Sequence, residues 1–450
     1  MSFLALSNFG TKEEWRVYNK IALRLMPFLL LLYIISFLDR VNVGFAKLQM
    51  SNDIGLGDAA YGFGAGIFFL GYCLFEIPSN LILQRVGAKF WIARILVVWG
   101  IISTGMMFVQ TPMQFYIMRF LLGVAEAGFY PGIILYLTYW YPVRLRSQIC
   151  AIFFLGIAIS GVIGGPLSGG IMNTFGGMNG WHGWQWLFLL EGAPAIIFGV
   201  VTYFYLDDGP AKAQWLTSTE RSLVVDELEA ETKMKFAAGM GHKFSHAMKD
   251  VNLWMLSFAN FALLSGVYGV SFWLPQIIKD LGVKDLFTNG LITAIPFAVA
   301  CVGMILIGKH SDRTRERKWH TALCGLMGAV GLVMSGVFAQ VPLVSLIGLS
   351  LAMTGSLAGL AVMWSLPGAI LSGAAAAAGF ALMATVGNLG GYLAPMALGL
   401  VRQSTGRLEY GLYMMAAAMV IGSILMLLIP KLRHGPLAHG KSPIIAASSV

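Results

Sequence analysis

Residues 29–40 read LLLLYIISFLDR. With the residues before it, this run makes a mostly apolar segment from about 21 to 41, and about 20 such residues span a hydrocarbon core. The segment ends on a carboxylate and a guanidinium side by side, Asp39 and Arg40. An ionisable group near mid-bilayer costs roughly 2.5–3.5 kcal/mol on insertion scales. The stretch therefore predicts a transmembrane helix that keeps charges for a purpose.

The rest of the chain repeats the apolar part of that pattern. Of its 450 residues, 57% are hydrophobic and 11% are charged. That charged share is about half that of a soluble domain. It excludes an ordinary soluble enzyme, and the apolar content excludes a disordered chain. Breaks at charge, Pro and Gly clusters delimit twelve spans near 21–41, 61–84, 91–110, 114–140, 148–172, 185–206, 251–279, 288–308, 320–340, 342–364, 375–400 and 409–430. The first apolar run is too long and too late for a cleaved signal peptide, and no A-x-A site follows it.

The net charge is +9. Membrane topology explains it without nucleic acid. With the N-terminus inside, Lys and Arg crowd the inner segments, and the outer ones hold only Lys47, Lys279, Lys284, Arg402 and Arg407. This asymmetry predicts cytoplasmic termini in an inner or plasma membrane. The four cysteines, Cys73, Cys150, Cys301 and Cys324, show neither metal spacing nor a disulfide framework.

The longest polar stretch, 207–250, separates six spans from six. The expected fold is all-α: twelve transmembrane helices in two six-helix bundles in a pseudo-twofold arrangement. The domains are 1–206, a cytoplasmic loop 207–250, 251–435 and a cytoplasmic tail 436–450. In the loop, Thr217 and Glu220 have capping-box spacing, and Leu223, Val224 and Leu228 recur at helical spacing. Either a short amphipathic helix on the cytoplasmic face or a plain tether fits. His242 and His246 lie four apart with no third ligand, so no metal site is expected. Between spans 8 and 9 stand Gly308, Asp312, Arg313, Arg315 and Arg317. The matching place in the first half has Asn80, Gln84, Arg85, Gly87 and Lys89, keeping the basic turn but not the leading Gly or the Asp. Two halves in parallel repeat are a transporter architecture.

Further charges sit in the spans. Arg119 and Glu126 in span 4 are seven apart, two helical turns, and point the same way. Asp39 and Arg40 are about 100° apart on their helix. If spans 1 and 4 face one cavity, two acids and two guanidiniums meet there and pair. Protonating the acids releases the arginines, whose planar forks match a carboxylate. The pattern suggests a proton-coupled anion site, and structural ion pairing between helices is the rival. Glu76, Arg94 and Glu191 read as structural. Tyr72 in span 2 and Trp364 in span 10 are deep enough to line a pathway or to pack helices. Asn388, among Gly387, Gly390 and Gly391, fits a polar cavity wall or an interhelical hydrogen bond. Trp181, Trp184 and Trp186 form an interfacial belt. Span 5 carries Gly161, Gly165, Pro166, Gly169 and Gly170, part of a motif common in antiporters.

Three stretches resemble one family. Phe37 to Gly44 is similar to the span 1 signature of the anion:cation symporters of the major facilitator superfamily. Arg119 to Gly132, ending Glu126-Ala127-Gly128-Phe129-Tyr130-Pro131-Gly132, and Gly183 to Gly192 resemble it too. The resemblance implies proton-driven uptake of an organic anion by rocker-switch alternating access. It implies that Asp39 and Glu126 bind protons and that Arg40 and Arg119 hold or gate the anion. Tyr72, Trp364 and Asn388 match positions that line the cavity in sugar-acid transporters. Asp312 and Arg313 match a cytoplasmic gate, which Asn80 and Gln84 break in the first half.

Members of that family carry tartrate, hexonates, hexarates, phthalate and hydroxyphenylacetate. A small hydroxycarboxylate such as tartrate is expected here, with an aromatic acid next. The alternative is an antiporter or efflux protein on the same fold. No enzyme is expected, because the chain has no H-E-x-x-H and no G-x-S-x-G. The expected partners are the anion, protons and lipid, with no other cofactor, no nucleic acid and a monomeric state.

Overall fold

The computed structural model describes Leu4, residues 9–237 and 250–364, Leu366 and residues 373–430. His242, His246 and the tail 436–450 lie outside the described residues. Among the described residues, twelve helical segments are long and apolar enough to cross a membrane.

The helices are α1 (Lys12–Val41), α2 (Val43–Asp53), α3 (Asp58–Val86), α4 (Ala88–Gly105), α5 (Pro112–Glu126), α6 (Phe129–Thr138), α7 (Val143–Phe175) and α8 (Gly183–Tyr205). Then follow α9 (Ser218–Ala237), α10 (Val251–Asp280), α11 (Leu286–Thr314), α12 (Arg317–Val337), α13 (Pro342–Met363), α14 (Gly373–Thr405) and α15 (Glu409–Leu428). Two spans differ from expectation. The first begins nearer the N-terminus, where the Thr11 hydroxyl caps α1 by accepting from the Glu14 N–H. It also continues past Asn42, whose backbone stays helical (φ −57°, ψ −27°), into α2.

The fourth span is broken between α5 and α6. Ala127 turns to ψ 129° and Gly128 to φ 84°, a left-handed conformation that glycine adopts without strain. A Cβ at Gly128 would also lie 2.7 Å from Ser79 Cβ on α3. The break follows Glu126 directly, so it fixes where that carboxylate can reach.

The two halves meet chiefly along two crossings. On one, α7 and α11 come within backbone contact at Gly165 and Gly290, where neither position has room for a Cβ. On the other, α3 runs along α14 from Asp58, opposite Gly399, to Cys73, whose Sγ lies 3.9 Å from the Thr385 carbonyl. Past Cys73, α3 shows exposed Leu74, Phe75, Leu81 and Ile82. The halves thus close together at the end away from the start of α1 and splay at the end that holds it.

The closed end carries an ion network between the halves. Lys47 on α2 is 4% exposed and bonds Asp58 at 2.7 Å and Gln276 on α10 at 3.2 Å. Its ammonium lies 4.4 Å from the Trp273 ring centroid. Arg402 on α14 reaches Asp58 at 3.1 Å and Asp280 at 2.7 Å.

The central stretch does form a helix, and it is clamped to the first half. Thr217 and Glu220 make the capping box. Lys20 pairs with Glu220 at 2.6 Å, Tyr18 donates to Glu227 at 2.8 Å, and Arg146 pairs with Glu231 at 3.3 Å. The Lys20 ammonium beside Glu220 holds that carboxyl below its usual range. The Leu-Val-Leu pattern marks a helix, and Glu220, Glu227 and Glu231 along the same face choose where it docks.

Candidate functional site

The charged centre is built on α1. Ser36 and Arg40 are four apart and share a helix face. Both reach the same atom: Ser36 donates to Glu126 Oε1 at 2.6 Å, and Arg40 forms a short ion pair with it. Arg40 also donates to the Tyr268 hydroxyl of α10 at 2.9 Å. Its guanidinium lies 5.1 Å from the Phe68 ring centroid and 5.5 Å from that of Tyr72. The ion pair is almost fully buried, at 7% and 1% side-chain exposure.

Asp39 faces elsewhere. Its carboxylate accepts from Trp99 Nε1 at 2.5 Å, from the Ser103 hydroxyl and from Asn42 Nδ2 at 3.3 Å. Trp99 and Ser103 belong to α4. The offset of about 100° between adjacent residues sends Arg40 toward α5 and α10 and Asp39 toward α4.

Arg119 is fully buried on α5. It donates to the Ala65 carbonyl at 3.3 Å, and its Nε and Nη1 are buried without a hydrogen-bond partner. Its guanidinium stands 5.1 Å from the Phe68 centroid and 5.9 Å from that of Phe272. Expecting two acids and two guanidiniums to meet as two pairs is therefore corrected. One pair forms, one acid is satisfied by neutral donors, and one guanidinium lacks an acid. The two guanidiniums share the Phe68 ring. Such a centre can accept an anion at Arg119 without first breaking a pair.

The other expected residues are spread more widely. Tyr72 is buried beside Arg40. Trp364 is half-buried and stacks on Phe380 at 6.0 Å. It also meets Phe154 at 6.0 Å and Tyr130 at 6.5 Å across the two halves. That aromatic contact lies on the splayed side of Glu126. Asn388 is half-buried on α14, one turn before Gly391, which touches the Phe69 ring.

Asp312 and Arg313 are exposed, and Asp312 pairs with Arg317 at 3.3 Å within its own half. At the corresponding corner of the first half, Asp208 accepts from the Lys89 N–H at 3.2 Å. An acid from beyond α8 thus stands where the first-half motif has none. An open groove of about 740 Å³ lies between α9 and the α6–α7 turn, lined by Arg146, Asp208 and Glu229. Its mixed charge and distance set it apart from the buried centre.

Sequence reasoning missed Ser36, Phe68, Trp99, Ser103 and Tyr268. Ser36 was findable, being one turn before Arg40. Tyr268 was not, because the contact joins residues of different halves.

The chain matches the family model described as Major Facilitator Superfamily over residues 29–395. It belongs to the major facilitator superfamily. Among similar proteins of this superfamily is one from Agrobacterium vitis with the provisional name "tartrate transporter". It is 46% identical over 93% of this chain and 95% of its own length. Another, a quinolone resistance transporter of Acinetobacter baumannii, is 40% identical over 92% of this chain and 95% of its own. Among solved structures, the xylose transporter XylE of Escherichia coli in a partially occluded inward-open conformation superposes with a TM-score of 0.73. It covers 89% of this chain and 96% of that one at 14% identity, a likeness of fold. These facilitator relatives are transporters, and the chain is a multi-pass membrane transporter rather than an enzyme.

Proposed function

We propose that this facilitator takes up a small organic anion together with protons. The observation that carries the reading is Arg119: a fully buried guanidinium with no acid partner, next to a guanidinium that an acid holds. A buried cation of this kind is stabilised by an anion, and a guanidinium offers a carboxylate two parallel donors.

The cycle follows from the pairing. The anion enters toward Arg119 across the Phe68 ring. Protonation of Glu126 neutralises Arg40's partner, and Arg40 then turns its fork to the same anion. Proton and anion each remove the other's electrostatic penalty, so they move together. Asp39, held by Trp99 and Ser103, is the second proton carrier. Loss of the protons on the far side re-forms the Arg40–Glu126 pair and expels the anion. The Lys47–Asp58–Arg402 network at one end and the Trp364–Tyr130 contact toward the other open in turn as the halves rock.

The Lys/Arg distribution supports cytoplasmic termini in an inner or plasma membrane, so the splayed end faces inward. The Agrobacterium relative's name supports a hydroxycarboxylate such as tartrate. The Phe68, Tyr72 and Phe272 walls leave an aromatic acid as the next candidate. The quinolone resistance relative, with the partial glycine motif of α7, favours efflux as the second reading.

Proteoliposomes with an imposed pH gradient separate the two. Uptake of one labelled acid from a panel, above its equilibrium level and abolished by a protonophore, is the expected result. Export of the compound against inward proton flow would replace symport by efflux.

A further inference from the structure

A third deeply buried acid has no part in the cycle above. Glu191 on α8 is 4% exposed. Its Oε1 accepts from the Ser168 hydroxyl of α7 at 2.7 Å, and its Oε2 is buried with no hydrogen-bond partner. The Asn42 amide lies between Glu191 and Asp39. It donates to Asp39 Oδ1 at 3.3 Å and also acts on the Glu191 carboxyl as a neighbouring side chain. Asn42 Oδ1 is likewise buried and without a partner.

The approach is set by Gly192. A Cβ there would come within 2.8 Å of Thr104 and 3.1 Å of Ser103 Oγ, so α8 lies directly on α4. Ser103 in turn donates to Asp39. The two acids therefore belong to one chain of contacts: Ser168, Glu191, Asn42, Asp39, then Ser103 and Trp99.

We infer that Glu191 is a proton-binding site, carrying a proton on Oε2 in this conformation, and that its protonation is coupled to that of Asp39 through Asn42. An ionised carboxylate only accepts hydrogen bonds. An ionised Glu191 leaves Oε2 and Asn42 Oδ1 as two buried acceptors that receive no hydrogen bond, an unfavourable arrangement. One proton on Oε2, donated to Asn42 Oδ1, satisfies both. It also removes one of two negative charges from a shared buried site, where two carboxylates resist ionising together.

Among the described residues no cation pairs with Glu191, and the Arg119 guanidinium bears on Asp39 instead. Asp39 is the charged group facing Glu191 from α1. From α4 come Ser103, Thr104 and Trp99, and from α7 comes Ser168. On α2, Lys47 is taken by Asp58 and Gln276, and Asp53 by Trp184 and His182.

The inference deepens the proton-coupled reading and rests on it only for what the proton does in transport. Its test reads the proton itself. Infrared spectra of the full-length protein in lipid show the carbonyl stretch of a protonated, unhydrated carboxylic acid. Glu191→Gln should remove one such band. This variant keeps a donor toward Asn42, so the fold is maintained. Ser168→Ala should leave the band in place and shift its frequency, since it alters the hydrogen bond to Oε1.

Raising the pH should bleach the band. In Asp39→Asn the bleaching midpoint should move to lower pH by about one unit, because the neighbouring negative charge is gone. Identical spectra for the native chain and Glu191→Gln would overturn the site. An unmoved midpoint in Asp39→Asn would overturn the coupling. A coupled band in a chain whose uptake ignores the pH gradient would keep this site and remove the symport reading.

Discussion

The two halves share a fold but divide the chemistry. Among the described residues, every buried charged side chain lies in the first half: Asp39, Arg40, Lys47, Arg119, Glu126 and Glu191. The second half brings Tyr268 and Phe272 to the same centre, and its buried polar groups are hydroxyls and amides such as Ser265 and Asn260. A buried ion pair is costly to break, about 3–5 kcal/mol when one partner is removed. Keeping Arg40 and Glu126 in one bundle lets the halves rock without breaking that pair. The neutral half can slide past it, exchanging a tyrosine hydroxyl and aromatic faces. Among the described residues, charges pair across the halves only at the closed end, where Arg402 meets Asp58 and Lys47 also reaches the neutral Gln276. On the proposed cycle, coupling belongs to one half and gating to the contacts between them.

Four experiments break or sharpen that division. The largest effect is expected from Glu126→Gln, which should abolish proton-driven accumulation while leaving anion exchange. Counterflow and pH-driven uptake measured on the same vesicles read this directly. Next comes Arg119→Ala, which removes the guanidinium that has no acid partner. Anion affinity should fall roughly 30- to 5000-fold, as expected for about 2–5 kcal/mol, in an equilibrium binding assay.

Lys47→Ala should weaken the closed end. A single cysteine introduced beside Gln276 should then be labelled faster from that side, by about tenfold if the lock is worth about 1.4 kcal/mol. The smallest effect is expected in the neutral half. Tyr268→Phe removes one hydrogen bond to Arg40, about 0.5–1.5 kcal/mol, and should weaken binding only a few-fold. A loss at Tyr268 equal to that at Arg119 would end the division between the halves.

Much of the fold was legible in the residues because lipid imposes long apolar runs. The span ends fall close to charge and Pro clusters, as at Pro112, Pro342 and Glu409. The helix after Thr217 was signalled by its capping box. The break at Gly128 was not identified, since Glu126-Ala127-Gly128 stays apolar on both sides and only the contact with Ser79 makes the glycine necessary.

At the site, helical spacing put Arg119 and Glu126 on one face, and their meeting with Arg40 was expected only if spans 1 and 4 faced one cavity. It could not say which acid takes which arginine. That depends on Ser36 and Tyr268 supporting one pair, and on Trp99 and Ser103 drawing Asp39 away. Glu191 looked structural in isolation, because the amide that joins it to Asp39 becomes visible only in three dimensions.

The most direct test of the central claim is the external pH on adding the transported acid to weakly buffered proteoliposomes, for the native chain and Glu126→Gln in parallel. The account predicts alkalinisation outside with the native chain and none with Glu126→Gln, while that variant still exchanges labelled anion. Acidification with the native chain, or equal alkalinisation by both, would contradict it.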